Sequence, residues 1–286
     1  MPILPKILNL SLAGLCALLP SCLATRSGTL PEQEPVKAPS IKFNLTKDVI
    51  FSPADWPQAL PADIYQPRQP EKRTAILLIH GGGWTGGDKR SQMNGIAEKL
   101  ASRGYLVMNT TYRTTPENRW PTQIQDVRLA LAWLKKNASS LRIDPSKIGA
   151  MGYSAGAHLA AILGSTEPSI KAMVLGGLPA DLMLFDDGEL VQMLTGGTKA
   201  EKPQVHRSAS PVNYVTKKTP PVFLYHGRWD KLVPPNQAEA YLAALKKNNV
   251  PHQMTWLEGR AHITTFLFSG PTVDRGIDFL DQTLRR

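Results

Sequence analysis

Gly152-Tyr153-Ser154-Ala155-Gly156 sets a serine between flanking glycines, directly after a short apolar run and before a run of small helix formers. That pattern, G-x-S-x-G between a strand and a helix, makes a turn so tight that bulk two residues to either side would clash. It lifts the hydroxyl clear of a sheet edge and beside a helix N-terminus. A hydroxyl is a weak nucleophile until a base takes its proton, and an imidazole base needs a carboxylate to hold its tautomer. Six histidines are available. His158 and His80 lie too close to the helix or strand backbone to swing over Ser154, so packing or hydrogen bonding is expected of both. His226 ends a strand, His206 falls in a polar stretch and His252 opens a strand. His262, in Glu258-Gly-Arg-Ala-His262, is expected in the loop between the last strand and the last helix and gives the chain order nucleophile, acid, base. Asp230, in His226-Gly-Arg-Trp-Asp230, follows a strand and is the favoured acid over Asp181, Asp186 and Asp187.

A tetrahedral intermediate at Ser154 carries a negative oxygen, and backbone N–H donors stabilise it by about 3 kcal/mol apiece. Ala155, just after the serine, offers one. The run Gly81-Gly82-Gly83 after His80 offers others, because absent side chains let an oxyanion approach the backbone. A phosphate loop is the rival reading of such a run, but Gly82 to Gly87 leads into Asp88 rather than Lys and Ser or Thr. Neither a G-x-G-x-x-G helix opening nor an H-E-x-x-H pair is present, so no metal and no cofactor is expected.

The elements that must hold these groups alternate. Strands are predicted at 41–51, 63–66, 74–79, 105–110, 147–151, 172–175, 222–225 and 252–257. Helices are predicted at 93–102, 121–137, 155–163, 238–247 and 272–284. Thr74 to Ile79 is apolar on both faces, which suggests a central strand of a buried parallel sheet. The fold class is therefore α/β, a mostly parallel sheet with helices on both faces. Residues 179–215 interrupt the alternation as a small cap-like insertion. A short amphipathic helix is expected at 181–194 and a polar loop at 196–210.

The 286 residues have ordinary globular composition and a formal charge of +10. The basic residues come as scattered pairs without interleaved aromatics, so no nucleic-acid surface is expected. The two cysteines, Cys16 and Cys22, both lie near the start, which excludes a thiolate metal site, a disulfide scaffold and a cysteine nucleophile in the folded body. Ile7 to Leu19 is apolar but shorter than the about 20 residues of a membrane span, as in a secretory signal. Leu19-Pro20-Ser21-Cys22 resembles a bacterial lipobox, although Pro20 departs from its pattern. Residues 1–21 are thus read as a signal peptide, 22–40 as a tether and 41–286 as the catalytic domain. An exported periplasmic or cell-envelope protein is expected, anchored to the membrane through a lipid on Cys22. Cleavage after Ala24 is the competing reading.

As an ordered set, His80-Gly-Gly-Gly-Trp84, Tyr112-Arg113, Asp126-Val127, Gly-Tyr-Ser154-Ala-Gly, His226-Gly-x-x-Asp230-x-x-Val-Pro and Gly-x-x-His262 resemble the α/β-hydrolase fold. They are similar above all to its H-G-G-G-W esterases, of the hormone-sensitive-lipase-like and acetyl-xylan or feruloyl types. Ala157 stands where such relatives often carry a second glycine. The resemblance covers about residues 60 to 285. It implies a serine carboxylester hydrolase with Ser154, Asp230 and His262 as triad and oxyanion donors from Gly82, Gly83 and Ala155. It also implies a structural Arg113 and Asp126. Trp84 and Tyr153 are expected to border the substrate pocket, with a packed aromatic as the other reading of Trp84. The expected substrates are small-molecule or polysaccharide esters with short acyl groups. An amidase or formamidase of the same fold and an inactive surface binding module are the alternatives.

Overall fold

Arg73-Thr-Ala-Ile-Leu-Leu-Ile79 alternates its apolar side chains between two faces, and both faces are buried. Ala75, Leu77 and Ile79 pack into one apolar cluster and Ile76 and Leu78 into the other. In the computed structural model, which describes residues 24–285 apart from 32–34, 36–39, 70, 72 and 187, this segment is a central strand of one nine-stranded sheet. The strands are β1 Ala24–Gly28, β2 Phe43–Ile50, β3 Pro61–Pro67, β4 Arg73–Ile79, β5 Leu106–Thr110, β6 Ile143–Tyr153, β7 Ile170–Gly176, β8 Val222–Gly227 and β9 His252–Leu257. Their spatial order is β1-β9-β8-β7-β6-β4-β5-β3-β2. The strands from β5 to β9 in that order run parallel, whereas β1, β3 and β2 pair antiparallel at the two sides.

Helices cover both faces. α1 Asn94–Ser102 and α9 Gly270–Leu284 supply Ala97, Leu100, Ile277 and Leu280 to one cluster. α2 Thr122–Lys136 and α4 Ala155–Thr166 supply Ile124, Val127, Leu131 and Leu159 to the other. α3 Ala138–Leu141 follows α2, and α7 Pro235–Lys247 follows β8. The alternation of strand and helix and the two-faced burial are those expected from the sequence.

Four expectations change. The stretch 181–194 is a short 3-10 turn, Leu182–Leu184, and then α5 Glu189–Thr195, with the left-handed Gly196 closing the helix. The stretch 196–210 holds α6 Pro203–Ser208, with proline at its first turn, where a missing N–H costs nothing. His262 begins a short helix, α8 His262–Leu267, rather than lying in a loop. Within the expected tether, Ala24–Gly28 is a strand, pairing antiparallel with β9 from Ala24 opposite Leu257 to Gly28 opposite Gln253. The expected signal segment 1–21, Cys22 and Asp187 lie outside the described residues.

Candidate active site

The parallel strands deliver their C-terminal ends to one edge of the sheet, where α/β folds bind their ligands. β6 ends there at Tyr153, and Ser154 makes the turn into α4 with φ 54 and ψ −123. A non-glycine residue in that region carries about 1–3 kcal/mol of strain, which its surroundings must over-determine. The Ser154 N–H donates to Gly176 O at 2.8 Å, and Ser154 O accepts from His158 N at 3.0 Å. The flanking glycines are required by proximity. A Cβ on Gly152 would stand 2.4 Å from the Gly156 backbone, and one on Gly156 would stand 2.0 Å from Ile79 O.

Asp230 stands three residues past the end of β8, and His262 is the first residue of α8. His262 Nδ1 and Asp230 Oδ2 are 2.6 Å apart, and both residues are buried. The other carboxylate oxygen accepts the N–H groups of Leu232 at 3.0 Å and Val233 at 2.8 Å. The carboxylate is therefore fixed before it orients the imidazole. Tyr153 Oη donates to His262 O at 2.7 Å and sets the backbone that carries the ring. His226 adds a contact that sequence reasoning missed. Its Nε2–H donates to Val233 O at 2.8 Å and lies 3.5 Å from Asp230 Oδ2. Burial holds the His226 imidazole below its ordinary pKa, so it remains neutral beneath the carboxylate. The His-Gly-x-x-Asp spacing was the available signal, since it returns the histidine to the carboxylate across one turn.

The rival acids do other work. Asp181 Oδ1 accepts from Met183 N at 3.0 Å and starts the Leu182–Leu184 turn, and Asp186 is exposed. The rival histidines are structural. His80 stacks on Tyr112 with ring centroids 4.5 Å apart. His158 accepts from Trp84 Nε1 on Nδ1 at 3.3 Å and donates from Nε2 to Ala209 O at 2.6 Å. One imidazole thus ties the glycine loop, the helix after Ser154 and the insertion together. Burial lowers the pKa of both rings to about 4. His206 and His252 bond to nearby backbone carbonyls. Arg113 and Asp126 are structural, as expected, and form an ion pair, Nη2 to Oδ1 at 2.7 Å and Nε to Oδ2 at 2.9 Å. It joins the segment after β5 to α2, with Trp56 Nε1 donating to the same carboxylate at 3.0 Å.

Ser154, His262, Gly82, Gly83, Trp84 and Tyr153 all line one cavity of about 490 Å³. Gly82 and Gly83 have φ of 103 and 62, a path that residues with a Cβ rarely follow. Ala155 is the first residue of α4, where the helix leaves N–H groups without an internal partner. The insertion closes one side. Phe185, Leu190 and Val191 line the cavity, and Leu190 lies so near Gly83 that a Cβ there would meet it at 2.9 Å. Leu232, Ile263 and Phe266 form another wall, and Lys89, Gln92 and Glu189 bring polar groups. Of these nine side chains only Leu232 falls inside a motif; the fold alone brings the others to Ser154.

Residues 62–245 match the BD-FAE family model. The chain is 31% identical over 245 residues to LipM of Mycobacterium tuberculosis, described as a probable carboxylic ester hydrolase; the match covers 77% of this chain and 56% of LipM. The chain therefore spans little more than half the length of that relative. A truncated carbohydrate esterase from gut microbiota superposes with a TM-score of 0.76 at 23% identity, covering 89% of this chain and all of that one. An esterase of Thermogutta terrifontis superposes with a TM-score of 0.70 at 25% identity, over 87% of this chain and 94% of that one.

Proposed function

The chain belongs to the BD-FAE family and has the α/β-hydrolase fold, and on that premise we propose that it is a serine carboxylester hydrolase that removes short acyl groups from sugars, polysaccharides or small esters. The observation that carries the reading is the fixed Asp230–His262 hydrogen bond beside a strained Ser154 in one cavity. His262 takes the proton of Ser154 Oγ as the oxygen attacks the ester carbonyl carbon. The carbonyl electron pair moves onto oxygen, which the N–H groups of Gly82, Gly83 and Ala155 receive. Collapse expels the alcohol with the proton held by His262 and leaves an acyl group on Ser154. Water, deprotonated by His262, releases the acid and restores the serine.

The preference for a short acyl group and a sugar alcohol rests on two supports. The cavity is modest, with Leu190 and Val191 against the glycine loop. A structural neighbour is named a carbohydrate esterase. A fluorophosphonate is expected to label Ser154, and Ser154→Ala is expected to keep the fold and lose turnover of p-nitrophenyl acetate. Undiminished turnover in that variant defeats the mechanism. Acetylated xylan and acetylated sugars test the finer reading, and it fails if neither yields free acetate while p-nitrophenyl acetate is cleaved.

A further inference from the structure

The peptide unit between Gly82 and Gly83 is trans, so Gly82 C=O and Gly83 N–H point in opposite directions. For Gly83 N–H to serve an oxyanion, Gly82 C=O must turn away from the reacting carbon. With glycine on both sides, nothing intrinsic to the chain holds that orientation, and a flip would put a carbonyl oxygen where the oxyanion must sit. Two donors hold that carbonyl, one of them from a side chain that also lines the cavity. Thr85 N–H donates to Gly82 O at 3.1 Å, and Lys89 Nζ donates at 3.4 Å. The lysine stem lies flat on the loop. A Cβ on Gly82 would meet Lys89 Cδ at 2.5 Å and Nζ at 2.8 Å, and one on Gly86 would meet Nζ at 3.0 Å. The adjacent carboxylate does not draw the ammonium away, because Asp88 Oδ2 is taken by Arg90 Nε at 2.8 Å. Arg90 is further anchored by Asp63 at 2.8 Å and Asp48 at 2.7 Å, which fixes the backbone on which Lys89 sits.

We propose that Lys89 is a positioning residue of this site: its ammonium locks and polarises the Gly82–Gly83 peptide, so that Gly83 N–H is presented to the oxyanion. The charge beside the carbonyl oxygen draws electron density through the amide and leaves the opposite N–H a stronger donor. Its effect is largest where negative charge develops, in the transition state rather than in bound substrate. The proposal rests on the esterase reading above.

The test uses Lys89→Met and Lys89→Arg in the full chain, with a soluble short-chain ester and an aryl trifluoromethyl ketone. Ser154 Oγ adds to the ketone carbon, its proton passes to His262, and the carbonyl oxygen becomes a hemiketal oxyanion. Lys89→Met is expected to lower kcat by about 10- to 100-fold, short of or equal to the loss of a whole donor, with KM within about twofold. Affinity for the ketone should fall by the same factor as kcat/KM, and Lys89→Arg should recover most of both. Unchanged kcat in Lys89→Met overturns the proposal. So does a rise in KM with unchanged ketone affinity, which makes Lys89 a contact to bound substrate. Fluorophosphonate labelling of the parent chain separates the two levels. Failure to label Ser154 removes the esterase reading, whereas labelling with an unimpaired Lys89→Met removes only this one.

Discussion

Asp230 spends one oxygen on the backbone of its own loop and the other on His262 Nδ1. In the proposed reaction the Nδ1–H tautomer leaves Nε2 of His262 to accept the proton of Ser154. Asp230→Asn keeps the shape but presents an amide that favours the wrong tautomer, so kcat should fall by about 10⁴-fold with KM little changed. Steady-state kinetics on a p-nitrophenyl ester reads this; a loss confined to KM would assign Asp230 to substrate binding instead. The candidate triad positions were legible in the sequence because each is tied to a local motif: glycines at 152 and 156, a carboxylate three residues past a strand end, and a histidine after the last strand. The contact of His226 left only the His-Gly-x-x-Asp spacing as a trace and that of Lys89 left none, since each depends on which backbone carbonyl lies across a loop.

The insertion shows the same boundary at the level of elements. Its α6, Lys-Pro-Gln-Val-His-Arg-Ser around residues 202–208, has no apolar stripe, so composition resembled a loop; the proline at its start was the only local sign of a helix. α8 was hidden because it is only six residues long, and of its apolar side chains Ile263 and Leu267 are exposed while Phe266 packs on the core. The long parallel strands were clear because burial on both faces writes a continuous apolar run. α5 carries Leu190 and Val191 into the cavity, and Leu190 rests on the glycine loop. Truncation at Leu190→Ala should open space beside Gly83 and raise kcat/KM for hexanoate relative to acetate esters. A panel of p-nitrophenyl esters measures the ratio, and an unaltered ratio places the acyl group elsewhere in the cavity.

Across the whole molecule, buried neutral histidines couple folding to pH. His80 and His158 have folded pKa values lowered to about 4, chiefly by burial, against about 6.5 when unfolded. His226 shifts the same way. Between those values the unfolded chain binds protons that the folded chain refuses, so stability falls as pH drops through 6.5 and levels only near 4. Each fully buried ring contributes roughly 3 kcal/mol to that loss. Thermal melts from pH 7 to pH 4.5 should show a descending Tm, and His158→Gln should flatten the slope whatever it does to Tm at pH 7. An equal slope in the variant would mean that His158 is not refused its proton.

The antiparallel β1 has a consequence for how copies of this chain meet. β9 is buried between β8 and β1, and without β1 its outer row of N–H and C=O groups would be an open template for another strand. β1 is five residues long, with Thr25, Arg26 and Ser27 exposed, and it makes a poor template itself. At the far side β2 is interrupted by a register shift between Thr46 and Val49, with Asp48 at φ 55. Both rims of the sheet are thereby blunted against self-association. Detaching β1 with Thr25→Pro and Ser27→Pro should make light scattering rise with protein concentration relative to the parent, and a variant that scatters as the parent does would show that β9 needs no such guard.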